Sequence, residues 1–235
     1  MPNKQFLILV PGLMCDEALW NHQVEHLSDI AEIVVTDKHA GYTTISEIAE
    51  AIMDDCPPTF ALAGLSMGGY IALEMVRRWP DRVEKLALLD TSPHLDMEEQ
   101  RNRRYDMIGL AEQEKFDEVI SAFLKLAIHP DRLGDRLLTE QVTAMDNRAG
   151  AATFVRQQHA IMSRRDQVLA LTQIDCPTCI VCGEQDALTP THCSEAMLDA
   201  IPHAWLVRID HCGHMTTMER PEEVTLAMRE WLVKD

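Results

Sequence analysis

The chain has 235 residues, 46% hydrophobic and 25% charged, with a formal net charge of −17, a length that suits one compact domain with a substantial core. The acidic balance disfavours nucleic acid and anionic membrane surfaces, since binding there depends on Lys and Arg neutralising phosphates. No stretch approaches the roughly 20 apolar residues of a membrane span.

The first apolar run, Gln5–Val10, stops at Pro11-Gly12. It is too short for a signal-peptide core and lacks a small-residue cleavage site, so it reads as a strand of a cytoplasmic protein. Ile33–Thr36 is the next strand. Thr44 and Glu47 then form a capping-box signature ahead of Ile45, Ile48, Ile52 and Met53, which share one helical stripe. Phe60–Ala63 follows as a strand, then a glycine-rich turn, a helix over Tyr70–Arg78 and a strand over Lys85–Leu89. Residues 91–171 break this alternation with helical periodicity alone: Met107/Leu110, Phe116/Ile120/Phe123/Leu124, Leu137/Leu138/Val142/Met145 and Phe154/His159/Met162. Roughly 80 residues are far too many for a simple connection. They read as a helical cap inserted into a core built from 1–90 and 172–235. Alternation resumes with Thr178–Cys182 and Trp205–Ile209. Pro190 and Pro221 suit first helical turns, and Val224, Met228, Trp231 and Leu232 form a stripe that docks on the sheet.

The strands are continuous apolar runs, as expected when both faces are covered. The fold class is therefore α/β: a doubly wound, mostly parallel sheet of about six strands with an inserted helical cap.

The chemistry concentrates at strand ends. Gly64-Leu65-Ser66-Met67-Gly68-Gly69 joins a strand to a helix, a turn so tight that the serine is strained outward and the flanking positions admit no Cβ. Ser66 is the expected nucleophile. A serine hydroxyl needs a base, and His214 lies in the loop after the last strand, with His211 as its local rival. The base needs a carboxylate: Asp186, after Thr178–Cys182, is favoured over Asp90, with Asp210 third. The order Ser, Asp, His suits this architecture. The oxyanion needs two N–H donors, expected from Met67 and from Leu13 in the Pro11-Gly12-Leu13-Met14 loop.

Seven cysteines without a secretory context argue against a disulfide framework. Cys176, Cys179 and Cys182 are spaced by three, but on a strand that spacing alternates faces, and no second Cys-x-x-C completes a tetrahedral set. They read as buried small residues; neither metal nor cofactor is expected. Arg101, Arg103 and Arg104 read as a solvated basic face rather than a carboxylate clamp.

Taken together, Val10-Pro11-Gly12-Leu13, Gly64 to Gly69, Cys182 to Pro190 and Cys212-Gly213-His214-Met215 resemble the α/β-hydrolase superfamily across nearly the whole chain. Within it the likeness is to capped esterases, enol-lactonases and C–C bond hydrolases. The resemblance implies a short sheet lacking the family's first two strands. Pro11-Gly12 departs from the His-Gly of many relatives, which leaves open how the oxyanion loop is held. The expected function is hydrolysis of a small-molecule carboxylic ester or lactone through an acyl-enzyme. A C–C hydrolase acting on a vinylogous diketone is the alternative, and a low-turnover small-molecule receptor the reading from another class. The sequence does not identify an oligomeric state; a homodimer stays open.

Overall fold

The computed structural model describes residues 4–234. Six parallel strands, β1 (Gln5–Val10), β2 (Ala31–Val35), β3 (Phe60–Leu65), β4 (Val83–Leu89), β5 (Thr178–Gly183) and β6 (Ala204–Ile209), stand in the order β2-β1-β3-β4-β5-β6. Ten helices surround them: α1 (Asn21–Leu27), α2 (Ile45–Met53), α3 (Met67–Arg78), α4 (Glu98–Glu112), α5 (Phe116–Ala127), α6 (Arg136–Met162), α7 (Val168–Leu171), α8 (Thr191–Ala200), α9 (Thr216–Glu219) and α10 (Pro221–Val233).

The two-residue period of a strand sends alternate side chains to opposite faces, and the core divides accordingly. Ile8, Val10, Leu62, Leu86, Leu88 and Ile180 join residues of α2, α3 and α8. Leu7, Leu9, Ala63, Leu89, Cys179 and Val181 join α1 and α10. The sheet is thus wound on both sides. Every residue of β3 and β5 is buried, whereas the outermost strands β2 and β6 are only partly covered.

All six expected strands form, Gln5–Val10 with the expected bounds and the other five with shifted ends. β2 begins at Ala31, two residues early, because Ala31 and Glu32 pair with Gln5 and Phe6. β3 continues to Leu65, since Gly64 and Leu65 pair with Leu88 and Leu89. Thr44 caps α2 by accepting the Glu47 N–H at 3.2 Å, but Glu47 answers through the Thr44 hydroxyl at 2.8 Å rather than its N–H. Pro221 opens α10, while Pro190 stands one residue ahead of α8 as its cap. Val224, Met228, Trp231 and Leu232 are all buried. A fully buried aliphatic side chain of this kind contributes about 1.5–3 kcal/mol.

Between β4 and β5 the described chain is helical. α6 is interrupted at Gly150, where φ is 73° and ψ is 164°. The break redirects the helix: Leu138, Val142 and Met145 face one core layer, while Phe154, Ala160 and Ile161 face the other. The expected Phe154/His159/Met162 stripe is corrected here. His159 is exposed, and the buried positions are Phe154, Gln157, Gln158, Ala160 and Ile161. Two glutamines in the inward stripe hid the true period. Arg104 is not part of a solvated face either: it pairs with Asp96 at 2.7 Å and Gln158 at 2.8 Å. Among the described residues, no helix is long and apolar enough to cross a membrane.

A Cβ at Gly150 would meet nothing within 4 Å, so the cost of a side chain there is backbone strain alone. Gly150→Ala should therefore lower stability by about 1–3 kcal/mol, read as a shifted urea midpoint. An unchanged midpoint would show that the break does not constrain the helix.

Candidate active site

The site is assembled at the C-terminal ends of β1, β3, β4, β5 and β6. Ser66 sits between β3 and α3 with φ 56° and ψ −115°, a conformation side chains seldom adopt. The surroundings hold it: Ser66 N–H donates to Leu89 O at 2.9 Å, and Ser66 O accepts from Thr91 Oγ1 at 2.8 Å and Gly69 N–H at 2.9 Å. The glycines permit the closeness. A Cβ on Gly64 would lie 2.2 Å from Gly68 O, and one on Gly68 would lie 2.1 Å from Val10 O. α3 therefore presses its N-terminus against the strands, which brings its free N–H groups to the serine.

Loop 11–15 lies against the same turn, since a Cβ on Gly12 would stand 3.4 Å from Ser66 Cβ. Cys15 N–H donates to Gly12 O at 3.2 Å, closing a tight turn. Among the described residues, the N–H groups of Leu13 and Met67 donate to no protein acceptor, while the next N–H along, that of Met14, is taken by Gln157.

His214 and Asp186 meet in the interior. His214 Nδ1 lies 2.8 Å from Asp186 Oδ2, with side chains 2% and 0% exposed. Asp186 also accepts from Leu188 N–H at 2.8 Å, Thr189 N–H at 3.0 Å and the Thr189 hydroxyl at 2.7 Å. Burial works against its charge, but the facing imidazole and these donors win, and its carboxyl is held below the usual range. Burial likewise works against charging His214, yet the Asp186 carboxylate outweighs it and the imidazole is pushed above its ordinary value. With the carboxylate accepting at Nδ1, that nitrogen carries the proton, leaving Nε2 as the basic atom. Ser66 Oγ and His214 form no hydrogen bond in this structure.

The rival carboxylate is a neighbour, not the partner. Asp90 is fully buried at the end of β4, where it accepts from Gly183 N–H at 3.0 Å and bonds the Thr216 hydroxyl. Burial first, then the Asp186 charge, drives its pKa well above the ordinary range. It ties β4, β5 and α9 together beneath the imidazole. His211 points elsewhere: it is two-thirds exposed and 3.5 Å from Asp210.

Several members of the site have no distinct sequence signal. Glu219, 1% exposed, accepts from Gly213 N–H and His129 N–H, both at 2.9 Å, and so ties the His214 loop to the segment after α5. His214 N–H itself donates to Ala127 O at 2.8 Å. Thr189 could be suspected only from its place beside Asp186.

As for metals, Cys176 packs against one core layer and Cys179 in the other. Burial pushes the thiols of Cys179 and Cys182 up to about 12 and about 11, which opposes the thiolate a metal needs. His129, Asp131 and His211 do bring ligand atoms within 4.8 Å of one another. There, however, His129 Nδ1 already accepts from Asp131 N–H at 3.2 Å, and His211 and Asp131 face solvent. A hollow of about 300 Å³ lies between Leu19, His22, Gln141, Ala144, Arg148 and Met218, and neither Ser66 nor His214 lines it.

A parallel sheet with a strand–turn–helix serine and a buried carboxylate–imidazole pair at one rim is the architecture of α/β hydrolases. Residues 7–227 match the Alpha/beta hydrolase family, and the chain belongs to it. It is 24% identical to the pimeloyl-(acyl-carrier protein) methyl ester esterase of Nitrosomonas europaea, over 94% of this chain and 93% of that protein. Among solved structures it is similar to a thermophilic esterase from Thermogutta terrifontis, with a TM-score of 0.90 and 27% identity over 98% of this chain and 90% of that one. The enol-lactonase from Burkholderia xenovorans LB400 shares the fold, also at a TM-score of 0.90, with 21% identity over 99% and 92% of the two chains. Family membership makes the chain a hydrolase.

A raised imidazole pKa has a signed consequence. Because the folded value exceeds the ordinary 6.5, the imidazole's contribution to stability is complete below that pH and is lost as pH rises through the folded value, while that of Asp186, whose carboxyl is held low, is present above its ordinary 3.8 and lost as pH falls. NMR titration should place the His214 midpoint above 6.5, and Asp186→Asn should lower it. A midpoint indifferent to Asp186→Asn would mean the 2.8 Å contact does not control the ring.

Proposed function

We propose that the protein is a serine hydrolase of small-molecule carboxylic esters, lactones included, working through an acyl-enzyme. The observation that carries this reading is the buried His214–Asp186 pair at 2.8 Å, set at the same rim as a strained, glycine-flanked Ser66. His214 Nε2 takes the proton of Ser66 Oγ as that oxygen attacks the acyl carbon. Asp186 stabilises the imidazolium, and the free N–H groups of Leu13 and Met67 receive the developing oxyanion. The imidazolium then protonates the leaving alcohol, which departs from Ser66-bound acyl. A water, deprotonated by the same Nε2, attacks that ester; the carboxylic acid leaves and Ser66 regains its proton. No step requires a metal or cofactor.

The helices between β4 and β5 serve in this reading as the cap over the reacting groups. The ester class is favoured by the esterase relatives at comparable length. The substrate is a small molecule, with neither nucleic acid nor membrane as partner.

Ser66→Ala should abolish hydrolysis of short p-nitrophenyl esters and labelling by a fluorophosphonate, with the circular-dichroism spectrum unchanged. Activity near wild type would overturn the assignment. Asp186→Asn should lower kcat by a factor on the order of 10⁴. If Asp90→Asn does the greater damage, the carboxylate is misassigned.

A further inference from the structure

Loop 11–15 supplies one of the two oxyanion donors, and its own side chains add just the weak thiol bond from Cys15 to Leu13 O at 3.4 Å. Cys15 N–H bonds Gly12 O at 3.2 Å, so Gly12, Leu13, Met14 and Cys15 form a β-turn with Leu13 and Met14 in the centre. Met14 has φ 59° while Leu13 does not share the positive φ, the pattern of a type II turn, whose third position favours glycine. A methionine there prefers the type I alternative. The dihedrals of the two types differ by a flip of the central peptide, here the one joining Leu13 to Met14.

Two side chains oppose that flip: the Cys15 thiol, inside the turn, donates to Leu13 O at 3.4 Å, and the stronger hold comes from an amide outside it. Gln157, 1% exposed on α6 and 143 residues away, accepts the Met14 N–H at Oε1, 2.9 Å. Its Nε2 faces His39 O at 3.4 Å. His39, buried, bonds Cys15 O through Nε2 at 2.9 Å. The turn is therefore gripped at the Met14 N–H and the Cys15 C=O by two side chains from outside it. Flipping the central peptide would turn the Leu13 carbonyl toward Gln157 Oε1, setting two acceptors against each other and stranding a buried N–H.

We propose that Gln157 is a positioning residue for the oxyanion hole: it locks the Leu13–Met14 peptide and thereby keeps the Leu13 N–H free and fixed beside Met67. This rests on the function proposed above and answers how a Pro11-Gly12 loop is held in place. It also makes the oxyanion loop dependent on α6, an element of the insertion rather than of the sheet.

The test compares Gln157→Leu with Gln157→Glu, which retains an acceptor for Met14 N–H. Gln157→Leu should lower kcat for a p-nitrophenyl ester about 10- to 100-fold, less than the 10²–10³ of losing a donor outright, with KM little changed. Affinity for a trifluoromethyl ketone, whose adduct carries the oxyanion, should fall by a matching factor. Gln157→Glu should recover part of the lost kcat, the remainder being the cost of setting a second carboxyl oxygen against His39 O. A Gln157→Leu protein that melts earlier but keeps wild-type kcat and trifluoromethyl ketone affinity would overturn the proposal, leaving Gln157 a packing residue. If Gln157→Leu does not fold, Gln157→Asn, which withdraws the amide by one methylene, must show the same kcat loss at constant KM, and an unchanged kcat overturns the proposal. The two readings fail separately. Full activity in Ser66→Ala sinks the serine mechanism, whereas inactive Ser66→Ala with unaffected Gln157 variants sinks only the positioning role.

Discussion

The structure turns on how closely α3 approaches the sheet. Helix and strand can meet at this distance only where no Cβ intervenes, and the would-be contacts of 2.2 Å at Gly64 and 2.1 Å at Gly68 leave glycine as the sole residue that fits. The same approach strains Ser66 to a φ of 56°, a cost of order 1–3 kcal/mol. It is sustained because the backbone of Ser66 is bonded to Leu89, Thr91 and Gly69. It also sets Gly12 against Ser66, so that two strand-end loops with unclaimed N–H groups lie side by side. The strained serine and the loop packed against it are consequences of one steric constraint.

A second constraint is electrostatic. Three carboxyl groups, Asp90, Asp186 and Glu219, are buried around His214 in a chain already carrying −17. They cannot all be charged at low cost. Hydrogen bonding helps to decide which carries its charge most easily. Asp186 has two N–H donors, a hydroxyl and the imidazole, and is pulled below the usual range. Asp90 has one N–H and one hydroxyl, with Asp186 itself as a repelling neighbour, and goes up. Glu219 also rises, through burial above all. Asp186 is thus the carboxyl group whose charge is best stabilised and which faces the imidazole, while Asp90 and Glu219 accept from backbone N–H groups.

Much of this was legible in the sequence because it depends on local pattern. Buried strands appear as apolar runs, and the elbow appears as glycines at fixed offsets around Ser66. The choice of Asp186 over Asp90 followed from its place after β5, although both residues end up close to the same ring. What could not be read was pairing at long range. Gln157 and His39 look like ordinary polar residues until α6 lies on the 11–15 turn, and Glu219 is just one acidic residue among many until it caps Gly213 and His129. The Gly150 break was obscured for a related reason: the inward stripe after it carries Gln157 and Gln158, so hydrophobicity alone assigned the face to His159 and Met162.

These long-range pairs share a direction. The His214 loop is fastened to α5 through Ala127 O and, by way of Glu219, to His129. The Met14 turn is fastened to α6 through Gln157. On one side of the sheet the helices between β4 and β5 hold the His214 loop, and on the other they hold the Met14 turn. Each fastening buries a backbone N–H that would be stranded without its acceptor, at a cost of about 1–3 kcal/mol apiece. The sheet positions the strand ends, but the orientation of the reactive loops above them is set from outside it. In the proposed mechanism the helices between β4 and β5 are therefore part of the reacting apparatus, because the Met14 and His214 N–H groups are satisfied when those helices are docked.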